Sequence, residues 1–161
     1  MNDEDIVINL QGDEPLMPNS NLLQVAALLE HNPVAAVATL YEAMSASEAK
    51  DNPNVVKLVT TLTDQVLYFS RAGIPFDRDG IRSATDTVKR HVGIYAYRKS
   101  ALDQFVRYPE SQLEHLEKLE QLRFMENGHS IVAQLAELPI PIGVDTLEDL
   151  EAVREIFLEK M

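Results

Sequence analysis

Cysteine is absent from this chain of 161 residues, which excludes disulfide bridges and thiolate metal sites. Long apolar runs are also missing, so the sequence offers no membrane span. The opening residues, MNDEDIVINL, are acidic where a secretory signal is basic. Because a cysteine-free composition fits a reducing compartment, we expect a cytoplasmic protein with no membrane partner.

Positive charge is scarce as well. Lysine and arginine together number 14 against 26 aspartates and glutamates, which gives a formal net charge of −12. This imbalance argues against nucleic acid as a partner, since broad binding to a phosphate backbone needs a basic surface. An anionic small ligand would have to be met by local cations or by a metal. Arginines cluster in the middle of the chain, among them Arg71, Arg78, Arg90 and Arg98.

What the chain does contain is a regular pattern of apolar residues, 45% of the total, in a length that favours one domain spanning residues 1–161. The pattern predicts strands at residues 6–8, 34–40, 91–97 and 131–136, and a hairpin from 54–61 and 65–70. It predicts helices at residues 22–32, 42–50, 99–107, 112–126 and 146–160. Strands and helices mixed in this way indicate an α/β sheet protein.

The segment NLQGDEP, residues 9–15, follows the β-branched run at 6–8 directly. A buried strand that ends in a tight acidic turn delivers a carboxylate to the edge of a sheet, where open α/β folds bind ligands. Asp13 in that turn is suited to hold Mg²⁺ against substrate phosphates. The alternative is an ordinary turn with its acids in water, and the heptapeptide alone leaves both open.

Six segments then occur in a fixed order: NLQGDEP (9–15), NPNVVKLV (52–59), LYFSRAGIPFDRD (67–79), RHVGIYAYR (90–98), LEHLEKLEQLR (113–123) and GVDTLEDLE (143–151). Six ordered motifs that cover most of the chain are highly specific. Together they resemble the 3-deoxy-manno-octulosonate cytidylyltransferases, or CMP-Kdo synthetases. The resemblance implies a mixed, mostly parallel sheet with flanking helices, of the nucleotide-diphospho-sugar transferase type and incomplete at its N-terminus.

The resemblance also implies an activity. Such an enzyme is a nucleotidyltransferase that moves CMP from CTP to 3-deoxy-D-manno-octulosonate (Kdo) and releases pyrophosphate, with Mg²⁺ as cofactor, for lipopolysaccharide biosynthesis. It implies a homodimer, with residues 55–97 as the expected contact region. Chemistry of this kind depends on alignment and on neutralisation of charge more than on acid-base groups.

Two metal ligands follow from the resemblance, Asp13 of QGDEP and Asp145 of GVDT, and these are also the expected catalytic residues. Oxygen ligands of this type suit a hard cation that borrows its remaining ligands from phosphates. Asp145 has a second explanation, because Asp145 and Glu148 have the spacing of a capping box at the start of the last helix. Both roles are compatible.

The resemblance places six residues at the substrate: Gln11, Arg71, His91, Tyr95, Glu120 and Gln121. Arg71 would grip the Kdo carboxylate bidentately; on residue chemistry alone, pairing with Asp77 or Asp79 is the alternative.

His91 and Tyr95 lie near the sugar acid in the family and can offer hydrogen bonds. A lone histidine beside a strand is more often structural, so we assign His91 no general-base role. Gly93 between them would let a ligand or a backbone approach closely.

Glu120 and Gln121 of LEQLR resemble residues that bind Kdo hydroxyls, and Gln11 matches a position near the sugar or nucleotide. The neighbouring Glu114, Glu117 and Lys118 are expected on a solvated helix face.

The family's upstream phosphate loop, P-A-R-x-x-S-x-R-L-P-G-K-P, and its H-x-S-G-T-D/E-R segment do not occur in the sequence. We therefore expect the isolated 161-residue polypeptide to make no CMP-Kdo, and we expect exposed apolar strand edges to favour self-association. Two other functions stay open. One is a related CMP-sialic acid synthetase, and the other is a non-catalytic module that binds a sugar acid or dimerises.

Overall fold

The computed structural model describes residues 2–12, 14–46, 52–81, 87–141, 143–144 and 146–159, with the side chain of residue 159 excepted. Strands in this part of the chain are β1 (Ile6–Leu10), β2 (Val37–Ser45), β3 (Lys57–Thr60), β4 (Val66–Ser70), β5 (Thr87–Arg98) and β6 (Ile131–Leu135). Helices are α1 (Asn19–Glu30), α2 (Lys99–Phe105), α3 (Gln112–Glu117), α4 (Gln121–Glu126) and α5 (Leu147–Glu159). No helix among these residues is both long and apolar enough to cross a membrane.

The long strand β5 is the centre of the sheet, whose order is β4-β3-β5-β2-β6 with β1 also beside β5. Strand β2 pairs with one edge of β5, and the opposite edge is shared by β3 and β1. The predicted mixed α/β sheet is confirmed. Four of the six strands, β1, β2, β3 and β6, point in the same direction. The ladders are mostly antiparallel, because β5 and β4 run in the opposite direction; among the strands that the structure describes, β2 and β6 alone pair in parallel.

Each face of the sheet carries its own apolar core. Helix α1 covers one face, and its inward residues Val25 and Leu29 are fully buried there. The other face packs against the helical segment that follows β5, with Phe69, Leu122 and Phe124 at its centre. Burial of side chains of this size stabilises the fold by roughly 1.5–3 kcal/mol each. The sheet is thereby fixed as a rigid support on both sides.

The predicted hairpin at 54–61 and 65–70 is confirmed as β3 and β4, which pair antiparallel. Its turn residue Asp64 has a positive φ of 63° and accepts a hydrogen bond from Ala133 of β6 at 2.9 Å. The turn of the hairpin therefore spans the core that contains Phe69 and contacts β6, the strand at the other end of the sheet order.

Two sequence-based boundaries are wrong. Residues 42–45 belong to strand β2 and not to a helix at 42–50, because they pair with β5 and Glu42 forms an ion pair with Arg90 across the ladder. Tertiary pairing overrides the local helix preference of alanine and glutamate. Residues 47–50 of that predicted helix lie outside the described residues.

The predicted helix at 112–126 is two short helices, because Lys118 adopts the left-handed conformation with φ 53° and ends α3. The remaining predicted helices and strands are present with shifted ends.

Candidate functional site

A cavity of about 740 Å³ opens where the edge of β5 is left uncovered. Strand β1 stops with Leu10 opposite Ile94, and β3 starts with Lys57 opposite Arg90. The β5 residues at this gap and beside it form the floor of the cavity: Arg90, His91, Gly93, Tyr95 and Tyr97. The helical segment that follows β5 supplies the opposite wall.

All six predicted substrate-binding residues line this one cavity: Gln11, Arg71, His91, Tyr95, Glu120 and Gln121. They come from the end of β1, the end of β4, the floor strand β5 and the start of α4. Residues that are far apart in sequence are thus brought together by the fold.

Asp13 and Asp145, the two predicted metal ligands and catalytic residues, lie outside the described residues, so the magnesium prediction stays a prediction. Glu14, next to Asp13 in the chain, lines the cavity. Within the described ranges no group of three or more His, Asp or Glu side chains is arranged to hold a metal.

The cap of the last helix is described and differs from expectation. Thr146 and Asp149 bond reciprocally at the start of α5: the Thr146 N–H donates to Asp149 Oδ2 at 2.9 Å, and the Asp149 N–H donates to Thr146 Oγ1 at 3.1 Å. The capping box therefore lies one residue further along than the predicted pair of Asp145 and Glu148.

The Arg71 guanidinium holds three backbone carbonyls together. Nε donates to Glu117 O at 2.6 Å, and the two terminal nitrogens donate to Pro53 O at 2.8 Å and Lys118 O at 3.3 Å. These carbonyls, and not Asp77 or Asp79, are its partners in the described part of the chain. Since a guanidinium has five N–H donors, two remain for a ligand.

Two charged groups behind Arg71 fix its backbone. The Glu117 carboxylate accepts from Ser70 Oγ at 2.7 Å and from the Arg71 N–H at 2.9 Å. Lys57, 0% exposed, donates from Nζ to Asn52 O at 3.0 Å and also to the Val55 and Arg71 carbonyls. Burial lowers the pKa of Lys57, with a smaller opposite effect of Glu117. One wall of the cavity is therefore tied to the sheet.

Of Glu114, Glu117 and Lys118, which were expected on a solvated helix face, Lys118 alone is exposed. Glu114 is buried and receives the Arg123 guanidinium, with Nε at 2.6 Å from Oε2. The sequence prediction also assigned no role to Lys57, which lies within the apolar run VVKLV.

His91 stands on the cavity floor with its ring packed against Phe69 and Tyr95, at centroid distances of 5.1 and 5.2 Å. Its Nε2 lies 3.0 Å from Oγ1 of Thr39, a buried residue of β2 that no motif indicated. Burial lowers the pKa of His91 to about 3, and the charge of Arg90 contributes to the shift. The ring is therefore neutral at physiological pH.

An aromatic row continues from His91 along the cavity. Tyr95 stacks on Tyr97 at 5.5 Å, Tyr97 on Phe124 at 5.5 Å, and Phe124 on Phe105 at 4.5 Å. Burial raises the pKa values of both tyrosines. Their hydroxyls thus stay protonated and able to donate.

Glu120 and Gln121 lie at the start of α4, and both line the cavity. Glu120 is exposed, and its charge helps to raise the pKa values of Tyr95 and Tyr97. Gln121 is only 6% exposed, and its amide nitrogen has no hydrogen-bond partner among the described residues. An unpaired buried donor costs about 1–3 kcal/mol, so a ligand that accepts from it would remove that cost.

Gly93 makes room for Gln11. The close approach observed at Gly93 is that of the Gln11 side chain: a Cβ atom at residue 93 would stand 3.1 Å from Gln11 Oε1. The Gln11 amide can therefore lie over the strand at the cavity edge.

Comparison with known proteins shows the family to which this chain is similar. A family profile described as cytidylyltransferase matches residues 1–131. The chain is 44% identical over 160 residues to a 3-deoxy-manno-octulosonate cytidylyltransferase of Acinetobacter baumannii, covering 97% of this chain and 63% of that protein. It is 48% identical over 160 residues to the protein of that name from Saccharophagus degradans, covering 94% and 62%.

A solved structure of CMP:2-keto-3-deoxy-manno-octonic acid synthetase complexed with CTP has a similar fold. It superposes with a TM-score of 0.86 at 40% identity, over 98% of this chain and 63% of the other. The chain thus spans less than two thirds of the length of these proteins. They confirm the resemblance found in the six ordered motifs. This chain belongs to the cytidylyltransferase family.

Proposed function

We propose that this chain forms the sugar-acid-binding portion of an enzyme that transfers CMP from CTP to Kdo with release of pyrophosphate. The observation that carries the proposal is the convergence of Gln11, Arg71, His91, Tyr95, Glu120 and Gln121 on one cavity. These residues were assigned to the substrate from motifs in separate parts of the chain. The names of the relatives described above support the same reaction.

Each group of cavity residues has a chemical task in this proposal. The two remaining N–H donors of Arg71 bind the carboxylate of the sugar acid in a charge-assisted pair. The Gln121 amide and the Glu120 carboxylate bind hydroxyls, one chiefly as donor and the other as acceptor. The aromatic row excludes water from the apolar part of the ring.

Mg²⁺ is the cofactor in this proposal, with Asp13 and Asp145 as its protein ligands. The cation, when bound, neutralises phosphate charge and orients the reacting groups. The assignment is supported by Glu14, which follows Asp13 in the chain and lines the cavity. Carboxylates are also the ligand type that a hard cation selects.

The same proposal includes the cellular location of the enzyme and its self-association. CMP-Kdo formed in the cytoplasm would supply lipopolysaccharide biosynthesis. Self-association as a homodimer is supported by four exposed apolar side chains on the β3–β4 hairpin and the segment after it: Leu62, Leu67, Phe76 and Ile81. All four lie within the expected contact region, residues 55–97.

Calorimetry on the 161-residue polypeptide tests the binding half of the proposal. Kdo should bind, N-acetylneuraminate (the sialic acid) should bind more weakly, and Arg71→Ala should lose most of the Kdo affinity. Tighter binding of the sialic acid would favour the CMP-sialic acid synthetase instead. Absence of Kdo binding would contradict the proposal.

A pyrophosphate-release assay with CTP, Kdo and Mg²⁺ tests the catalytic half. The 161-residue polypeptide should show no turnover, whereas a chimera that adds the upstream segment of the Acinetobacter baumannii relative should show it. An inactive but folded chimera that binds Kdo would favour the non-catalytic module. Turnover by the 161 residues alone would refute their expected inactivity.

A further inference from the structure

The Thr39 hydroxyl has more neighbours than it can donate to. Its Oγ1 lies 2.7 Å from Ile94 O, 3.2 Å from Val92 O and 3.0 Å from His91 Nε2. A hydroxyl has one proton, and carbonyl oxygens can only accept. Because two oxygen atoms lie only 2.7 Å apart when a proton is shared between them, the hydroxyl proton points to Ile94 O, and Oγ1 meets His91 as an acceptor. His91 must carry its own proton on Nε2.

A bulge in the sheet produces this arrangement. The register between β2 and β5 jumps from Thr39 opposite Tyr95 to Leu40 opposite Val92, so Gly93 and Ile94 are extra residues on β5. Bulges bend a strand and re-aim its side chains, and they are frequent beside functional sites. The Thr39 hydroxyl occupies this bend and meets two of its carbonyls.

The other ring nitrogen of His91, Nδ1, is then an acceptor. A neutral imidazole with its proton on Nε2 has a lone pair on Nδ1. Protonation of Nδ1 is opposed by burial and by the adjacent Arg90 charge, which together hold the pKa of His91 at about 3. The ring is also wedged between Phe69 and Tyr95, which opposes a flip.

We propose that Thr39 is a positioning residue that fixes the Nε2–H tautomer of His91, so that Nδ1 accepts a hydrogen bond from a hydroxyl of the sugar acid and not from its carboxylate, which has no proton to give. This inference rests on the proposed function. It assigns orientation within the cavity: the carboxylate lies toward Arg71, and a hydroxyl lies toward His91. In this arrangement the neutral His91 does not contribute to anion binding, whereas a cationic histidine would.

Nuclear magnetic resonance of the ¹⁵N-histidine-labelled chain at pH 7 tests the tautomer directly. Long-range proton–nitrogen correlations should show His91 protonated on Nε2 and unprotonated on Nδ1. Addition of Kdo should shift the Nδ1 resonance toward a hydrogen-bonded value while the proton stays on Nε2. A proton on Nδ1 in the free chain, or a doubly protonated ring with Kdo, would overturn the inference.

Variants separate this role from a structural one. Thr39→Val should weaken Kdo binding about tenfold and allow the Nδ1–H tautomer, whereas Thr39→Ser should restore both. Thr63→Val, an exposed hairpin residue, is the matched control and should change neither. Unchanged Kdo affinity in a folded Thr39→Val protein would overturn the inference. The expected tautomer with no Kdo binding by the wild type would instead overturn the proposed function, and the hydroxyl assignment with it.

Discussion

Gly93 and Gln11 lie so close that a Cβ atom on residue 93 would stand 3.1 Å from Gln11 Oε1 and 3.3 Å from Gln11 Cδ. Backbone conformation does not require glycine here, because the structure assigns Gly93 no positive φ. Space for the Gln11 amide is what glycine provides. The glycine at position 93 therefore matters more for the position of the Gln11 side chain than for the stability of β5.

The first prediction is that Gly93→Ala separates binding from stability. The added methyl should displace the flexible Gln11 side chain and weaken Kdo binding several-fold. The free energy of unfolding should change by less than about 1 kcal/mol, since alanine also restricts the unfolded chain. Calorimetry and urea denaturation measure the two quantities, with Gln11→Ala as the comparison for binding. Full affinity in Gly93→Ala would count against a role for Gln11.

The second prediction concerns Lys57, whose buried ammonium group bonds to three carbonyls. Lys57→Met keeps the stem but leaves those carbonyls without their donor, and it should lower the free energy of unfolding by about 2–4 kcal/mol. Lys99→Met removes a lysine from a pair with Asp103 at the surface and should cost little. Equal urea midpoints for the two variants would show that the carbonyls find other donors.

The third prediction is a pH dependence of stability. In the folded chain the pKa of His91 is about 3, below the ordinary value of 6.5, so the unfolded chain binds more protons between these values. The free energy of unfolding therefore rises with pH in that window. The His91 contribution is complete above pH 6.5 and falls on acidification by at most about 1.4 kcal/mol per pH unit.

Urea titrations at pH 7 and pH 5 check this prediction. Wild type should lose more stability between them than His91→Gln does. His129, whose pKa is also lowered by burial, contributes to both proteins and cancels in the comparison. Equal losses in the two proteins would mean that His91 titrates normally in the folded chain.

The fourth prediction addresses self-association. Phe76 and Leu62 are exposed apolar residues within the expected contact region, whereas Val34 is equally exposed outside it. Light scattering should give twice the chain mass for the wild type and for Val34→Ser, and a lower mass for Phe76→Ser or Leu62→Ser. A monomeric wild type would contradict the homodimer, and a dimer whose mass neither Phe76→Ser nor Leu62→Ser lowers would place the interface elsewhere.

Sequence reasoning found the cavity residues but not what holds them. Arg71, His91 and Gln121 could be predicted from the sequence because each lies in one of the motifs whose order along the chain is specific. Thr39 and Lys57 were missed, since their importance depends on carbonyl groups that converge only after the sheet bends and the hairpin folds over. A hydroxyl or ammonium that bonds to backbone oxygen leaves no characteristic spacing in the sequence.

Local patterns failed where tertiary pairing decided the outcome. The helical composition at 42–45 yielded to the ladder with β5 and to the ion pair between Glu42 and Arg90. The helical spacing of apolar residues at 112–126 continues past Lys118, where the helix ends. A residue in the left-handed conformation interrupts the helical backbone without changing the pattern of apolar residues. The break aims the Lys118 carbonyl at Arg71 and so belongs to the site.

The fifth prediction concerns the unpaired amide of Gln121, which is buried at the cavity wall. Replacement by leucine removes a donor that has no partner among the described residues. The free energy of unfolding of Gln121→Leu should therefore be unchanged or higher by about 1 kcal/mol. Kdo affinity should nevertheless fall at least tenfold, because the ligand loses the donor that the fold reserves for it.

Calorimetric titration of Kdo into wild type and Gln121→Leu is the most direct test of the claim that this cavity binds the sugar acid. We expect one Kdo bound per wild-type chain, and affinity at least tenfold weaker in a variant that is equally or more stable. Equal affinities in the two proteins, or no binding to a folded wild-type chain, would contradict the account.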